Sequence, residues 1–319
     1  MSLISNTTTL KREDRRASLA KFGKKMYKAR YLQLLILPGL IYFIIFQYGP
    51  MYGVLMAFQN YRPRLGIWGS EWVGLTQFIK FFNHPHFWRL IINTLAINIL
   101  QIIFVFPIPI IFALLLNELR GKYFKRTVQT ISYLPHFISL PAIIGMMTMF
   151  LSPTDGIINR IIVNLGGTPI YFLASPEWFR PLYILSDIWT TTGWSAIIYI
   201  AALSNVNQEL YEVAGLDGAS RLKMMWHISL PSIAPTIIIL FLLNIGKLMS
   251  LGYEKVLLMQ NPFTYETSEV ISTFVYKRGL EQAEYSFSTA VSVFNSVINI
   301  VILVIANSVS RKVSETSLW

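Results

Sequence analysis

The chain has 319 residues, 54% hydrophobic and only 13% charged, with a mean hydropathy of +0.50. Soluble domains average about 25% charged residues, so this composition excludes an ordinary soluble domain and points to an all-α polytopic membrane protein. There are no cysteines, which excludes disulfides and thiolate metal sites. The net charge of +11 would suit nucleic acid, but its placement along the chain argues against that partner.

Residues 1–30 read as a basic, partly disordered tail carrying Lys11, Arg12, Arg15, Arg16, Lys21, Lys24, Lys25, Lys28 and Arg30. No small-residue cleavage site follows a short apolar core, which argues against a cleaved signal peptide. The tail suits a cytoplasmic anchor under the positive-inside rule, with anionic lipid as its partner. Residues 31–319 read as one transmembrane domain with six spans.

Span one covers about 31–59, with Gly49-Pro50 expected to interrupt it near the outer surface. The outside loop 60–87 is crowded with Trp68, Trp72, Phe78, Phe81, Phe82 and Phe87. These rings suit a membrane–water boundary; a stacking platform for sugar is the alternative. Span two, 90–116, should kink at Pro107 and Pro109. Arg120, Lys122, Lys125 and Arg126 then mark an inside loop. Span three, 127–151, holds Pro135, His136 and Pro141; without a second His or carboxylate at helical spacing, His136 reads as packed or pore-lining.

Residues 152–179 form an outside loop with turn signals at Pro153, Gly156 and Gly166-Gly167. Span four covers 181–203, span five 232–258 and span six 286–309, with 261–285 as the last outside loop. Seventeen Lys and Arg fall inside by this assignment and eight outside, while Lys247 and Lys255 lie in or near span five. That bias places both termini in the cytoplasm.

Between spans four and five lies a polar island, 204–231. Ala214, Gly215, Gly218 and Ala219 are small enough for another backbone to approach, and Asp217-Gly218 is a turn signal. Glu212 offers a carboxylate to a partner's donors. The stretch reads as a short helix, a glycine turn and a second short helix on the membrane surface, where another protein docks. Pro231 and Pro235 mark where the chain bends into the next span.

Polar side chains inside a bilayer are costly and often face a cavity. Candidates for a substrate path are Asn93, Asn98 and Gln101 in span two, Thr191, Thr192 and Trp194 in span four, Asn244 and Lys247 in span five, and Asn295 and Asn299 in span six. For each taken singly, a hydrogen bond to a neighbouring helix is the commoner role. Lys247 would suit an acidic sugar, or could pair with Glu254.

The sequence Glu212-Val213-Ala214, Gly218 and Ile228-x-Leu230-Pro231 resembles the "EAA" loop of permease subunits in binding-protein-dependent ABC importers, a MetI-like superfamily; Val213 departs from the pattern's first alanine. The stretches Gly49-Pro50-Met51-Tyr52-Gly53, Asn93-Thr94-Leu95, Tyr133-Leu134-Pro135-His136-Phe137, Tyr285-Ser286-Phe287-Ser288 and the closing Leu318-Trp319 resemble the polysaccharide and complex-oligosaccharide branch, which includes importers of alginate and of pectin fragments. The resemblance implies a six-helix permease fold and a bacterial inner-membrane location. It also implies a coupling loop in which Glu212, Val213, Ala214, Gly215, Asp217, Gly218, Ala219, Ile228, Leu230 and Pro231 seat on an ATPase. The implied partners are a second permease, two ATP-binding subunits holding ATP and Mg, an extracytoplasmic solute-binding protein and an oligo- or polysaccharide. No cofactor is expected on this chain, and it has no G-x-x-x-x-G-K-[ST] phosphate loop. The alternatives are a permease of the same superfamily for another solute, or a membrane enzyme or channel; the four scattered histidines and the absence of an apparent mid-span acid cluster argue against an enzyme.

Overall fold

The computed structural model describes residues 28–119, 121–313 and 317–318. Most of the basic tail, Arg120 and Trp319 lie outside the described residues. The chain divides into two compact units, residues 1–55 and 56–319.

The helical run α1, Arg30–Phe58, changes type as it goes. A π turn, Phe43–Tyr48, precedes Gly49–Met51. Gly49-Pro50 therefore alters the helix without breaking it: Pro50 sits in the first turn of the next segment, where its missing N–H costs little. The Tyr42 and Phe43 rings meet edge to face, 5.9 Å apart.

The second unit starts with a two-stranded antiparallel pair, β1 (Gln59–Asn60) and β2 (Glu71–Trp72), in register Gln59 to Trp72. The helix α2, Thr76–Phe82, follows. Phe81 is almost fully buried and meets Phe82, Phe87, Phe287 and Phe294 at 5.0–6.3 Å. It belongs to a core, not to a boundary belt, because α2 packs on the last long helix. Trp68, Trp72, Phe82 and Trp88 do remain exposed.

Helix α3, Phe87–Glu118, contains a π turn, Gln101–Val105. Pro107 has no N–H and its ring would press on the carbonyl four residues back, so the chain widens ahead of it. The expected kink takes this form. Helices α4 (Lys122–Phe137) and α5 (Leu140–Phe150) meet at 99°, a sharp break flanked by Pro135 and Pro141. A short helix, α6 (Ile157–Asn164), precedes the 29-residue α7 (Pro176–Ser204). At Gly193 a Cβ would lie 2.1 Å from the Ser132 carbonyl oxygen, so only glycine lets α4 and α7 touch there.

After α8 (Gln208–Leu216) comes α9, Arg221–Ile245. The predicted span five is thus shifted: its helix starts eleven residues earlier and ends at Ile245, before a turn and α10, Tyr253–Met259. Beyond this end, Asn299 holds the turn. Its Oδ1 accepts the Met249 N–H at 2.9 Å and its Nδ2 donates to Ser250 Oγ at 2.8 Å, supplying partners for backbone and side chain where helical bonding ends.

The stretch expected as a last outside loop is folded, and its middle is buried. Helix α11, Ile271–Tyr276, presents Ile271, Thr273 and Phe274 to the interior, and Val270 and Ser268 are also enclosed. Asn93 holds this segment: it donates to the carbonyls of Glu266 (2.9 Å) and Glu269 (3.0 Å) and accepts from Arg180 (2.8 Å). Thr94 Oγ1 accepts the Ile271 N–H at 3.1 Å. Beside them Arg89 is ion-paired with Glu269. Buried backbone without a regular ladder needs such side-chain partners. The last helix is α12, Tyr285–Val313.

Four helices, α1, α3, α9 and α12, are long and apolar enough to cross a membrane among the described residues, and the bent pair α4–α5 makes a fifth candidate. Helix α7 is long enough as well, but it carries Asp187 and three successive threonines.

Candidate functional site: a coupling turn and a polar cleft

The polar island folds around one glycine. Asn207 caps α8 by accepting the Glu209 N–H at 3.0 Å. At the other end Gly218 takes φ of +73°, and the N–H groups of Ala219 and Gly218 bond the carbonyls of Ala214 (2.9 Å) and Gly215 (3.1 Å). This is a Schellman stop, which needs a residue free to adopt left-handed backbone. Ser220 then caps the next helix.

The predicted second short helix is not separate. Residues 221–224 begin α9 itself, and Ile228, Leu230 and Pro231 lie in or just after its π turn, Met225–Ser229. Pro231 occupies a first-turn position, so the chain runs on into the long helix. Tyr211 Oη and Ser229 Oγ stand 2.9 Å apart and tie α8 to that helix. Glu212, Val213, Gly215, Asp217 and Gly218 are exposed, Ala214 and Ala219 half-buried. Leu216 is 89% exposed. The result is a rigid, projecting turn with a carboxylate and an uncovered leucine.

A cleft of about 570 Å³ opens between the π turn of α3, the middle of α7 and the end of α9. Of the predicted path residues it gathers Gln101, Thr191, Trp194 and Asn244, together with Ser195 and Tyr199. Trp194 stacks face to face on His136, 4.5 Å between centroids and 5° between planes. Thr191 donates to the Asp187 carbonyl at 2.7 Å and Asn244 to the Leu240 carbonyl at 2.8 Å. No residue lining the cleft is charged.

The other candidates lie elsewhere. Asn93 and Asn299 are occupied as described, and buried Asn98 donates to the Thr94 carbonyl at 2.9 Å. Thr192 lines a separate recess with Pro135 and Trp189. Asn295 does not line the cleft, and its Oδ1 is buried without a partner among the described residues. Lys247 is exposed in the turn beyond α9, not mid-span, and no ion pair joins it to Glu254 among the described residues.

A buried pair was not anticipated. Lys255 on α10 is ion-paired with Asp187 near the middle of α7 and also donates to the Tyr183 carbonyl at 2.9 Å. Asp187 Oδ2 accepts from Gln101 Nε2 at 2.7 Å. A carboxylate near the middle of a long helix was the available signal; its partner is 68 residues away, beyond any local spacing rule. Among the described residues no group of three or more His, Asp or Glu could hold a metal ion.

The family profile described as "Binding-protein-dependent transport system inner membrane component" matches residues 105–315. The polygalacturonan/rhamnogalacturonan transport system permease protein YteP of Bacillus subtilis (strain 168) is 47% identical over 92% of each chain. Protein LplB of the same organism is 46% identical over 91% of each. A chain of a bacterial alginate ABC transporter, solved with an alginate pentasaccharide-bound periplasmic protein, superposes with a TM-score of 0.85 at 41% identity, over 92% of this chain and 99% of that one. The chain therefore belongs to the inner-membrane permeases of binding-protein-dependent ABC importers.

Proposed function

We propose that this permease carries an oligosaccharide of uronic-acid type through the cleft between α3, α7 and α9, and that the α8 turn receives the stroke of an ATP-hydrolysing partner. The observation that carries the sugar reading is what stands in the cleft's largely apolar lining: the Gln101 and Asn244 amides, the Thr191, Ser195 and Tyr199 hydroxyls and the Trp194 indole, with no charged group. Sugar hydroxyls pair with amides and hydroxyls, and sugar C–H faces lie on indole rings. The relatives named for polygalacturonan and alginate transport support an acidic sugar.

Two such permeases would enclose the path, a solute-binding protein would deliver the sugar outside, and two ATPase subunits would bind the exposed turn inside. Both chain ends would lie in the cytoplasm. Opening and closing would follow as rigid-body rocking about the cleft. Glu212 would meet the ATPase as a carboxylate, and Leu216 would fill an apolar depression in it.

The test is ATP hydrolysis by the assembled transporter in proteoliposomes, with binding protein loaded with galacturonate or mannuronate oligosaccharides. Stimulation by loaded binding protein, lost in Glu212→Ala and Gly218→Asp, is the expected result. Variants that assemble and respond like wild type would remove the coupling role from this turn. Absence of stimulation and uptake with every acidic oligosaccharide would remove the sugar reading.

A further inference from the structure

We propose that Asp187 and Lys255 are positioning residues: together they hold the Gln101 amide so that its carbonyl oxygen, a hydrogen-bond acceptor, faces the cleft. This inference rests on the saccharide reading and deepens it by naming what the cleft selects.

What each group can donate or accept fixes the orientation. An ionised carboxylate accepts hydrogen bonds and cannot donate. Asp187 Oδ2 lies 2.7 Å from the Gln101 amide nitrogen, so the amide must point its NH₂ at Asp187. Its Oε1 is thereby fixed on the opposite side. That oxygen has no protein partner among the described residues, yet it is not among the buried unpaired atoms; Gln101 lines the cleft. The orientation follows from chemistry, not from a choice between two similar amide atoms.

Lys255 makes this arrangement durable. A buried carboxylate without a paired cation is costly. The ammonium group pairs with Oδ1, leaving Oδ2 for Gln101. Lys255 is itself held by the Tyr183 carbonyl at 2.9 Å and lies over the Tyr183 ring at 4.0 Å. Thr191, one turn after Asp187, bonds its carbonyl and extends the same ordered surface into the cleft. The charges cancel each other and neither lines the cleft. The sugar would meet a neutral acceptor suited to hydroxyl donors.

The experiment uses the complete transporter in proteoliposomes, with saturating binding protein and two probes: galacturonate trisaccharide and the same trisaccharide with its hydroxyls partly O-methylated. Wild type should import the free sugar about five- to tenfold faster, the worth of one or two hydrogen bonds. The charge-exchanged variant Asp187→Lys with Lys255→Asp keeps an ion pair but turns a donor toward Gln101, so its amide should reverse. Its preference for the free over the methylated sugar should fall to about twofold or less. Gln101→Met leaves both charges in place and should lose the preference equally, which covers the case that the exchanged pair does not assemble. A preference unchanged in Gln101→Met would overturn the proposal. So would an exchanged variant that is slower with both probes by the same factor, which is what a purely structural pair would give. If wild type imports neither probe, the saccharide reading itself fails, a different outcome from either.

Discussion

The hydroxyl of Tyr211 and that of Ser229 meet at 2.9 Å, joining the projecting α8 to the π turn at the base of α9. This side-chain bond spans 18 residues across the Gly218 turn, so force applied to α8 has a direct route into a long helix. Tyr211→Phe should leave assembly intact but lower stimulation of ATP hydrolysis by loaded binding protein. A neutral hydrogen bond contributes about 1 kcal/mol. A double-mutant cycle with Ser229→Ala, read from thermal melts in detergent, should return a coupling energy of that size. Additive effects would show that the bond transmits nothing.

At Gly193 two helix backbones approach closely. A methyl group there would overlap the Ser132 carbonyl, so Gly193→Ala must push α4 and α7 apart. Overpacking costs about 1–3 kcal/mol, and the shift would reach the adjoining Trp194–His136 stack. A lower melting temperature with reduced transport is the expected pair of results. Gly145, whose added Cβ meets nothing within 4 Å, is the control: Gly145→Ala should melt like wild type.

Asn93 fills both its donors and its acceptor. Asn93→Leu has similar bulk but orphans two carbonyls and an arginine contact in a buried site, at about 1–3 kcal/mol for each group left unpaired. Melting should fall steeply, and limited proteolysis should cut near residue 266. A variant that resists protease like wild type would mean that the 261–285 segment is held by its apolar contacts alone.

His84 gives a pH signature. Burial, then the nearby His86 and Arg278, hold its imidazole below the ordinary value of 6.5, with Lys80 adding to the effect and Glu269 opposing it. Its Nδ1 accepts the His86 N–H at 3.2 Å, a bond that protonation at that nitrogen would forbid. The unfolded chain therefore takes up this proton first as pH drops. The stability involved is complete above about 6.5 and is lost as pH falls from there through the lower folded-state value. Melting temperature between pH 8 and pH 5 should decline less in His84→Gln than in wild type. Parallel profiles would rule the site out.

The parts of this molecule that follow from local chemistry were legible. Gly218 after Asp217 announced a turn, and a Schellman stop is what forms. Long apolar runs announced α3 and α12. The failures share one cause, which is contact between distant segments. Asn93 looked like a cavity residue because a polar group in an apolar helix needs a partner; the sequence did not show that the partners would be carbonyls more than 170 residues away. Lys247 drew attention as a cation near a span, whereas Lys255, eight residues later, is the one enclosed with a carboxylate. Asn299 holds the turn after α9 from another helix altogether, a contact that no local pattern shows. In the cleft, Gln101, Thr191, Trp194 and Asn244 were named from residue type, but which of ten candidates would converge depended on packing.

The burial of α11 also bears on where foreign peptide can be spliced into this chain. Reporter and epitope insertions are commonly aimed at stretches expected to lie outside the membrane, and 261–285 looks like a generous target. Here the backbone around Ser268 to Phe274 is enclosed and clamped by Asn93 and Thr94, so an insert would break the clamp it was meant to report on. The better graft point is the tip at Leu165-Gly166, where the leucine is 83% exposed and the glycine already has φ of +87°. A tag there should read out sidedness while leaving the transporter assembled.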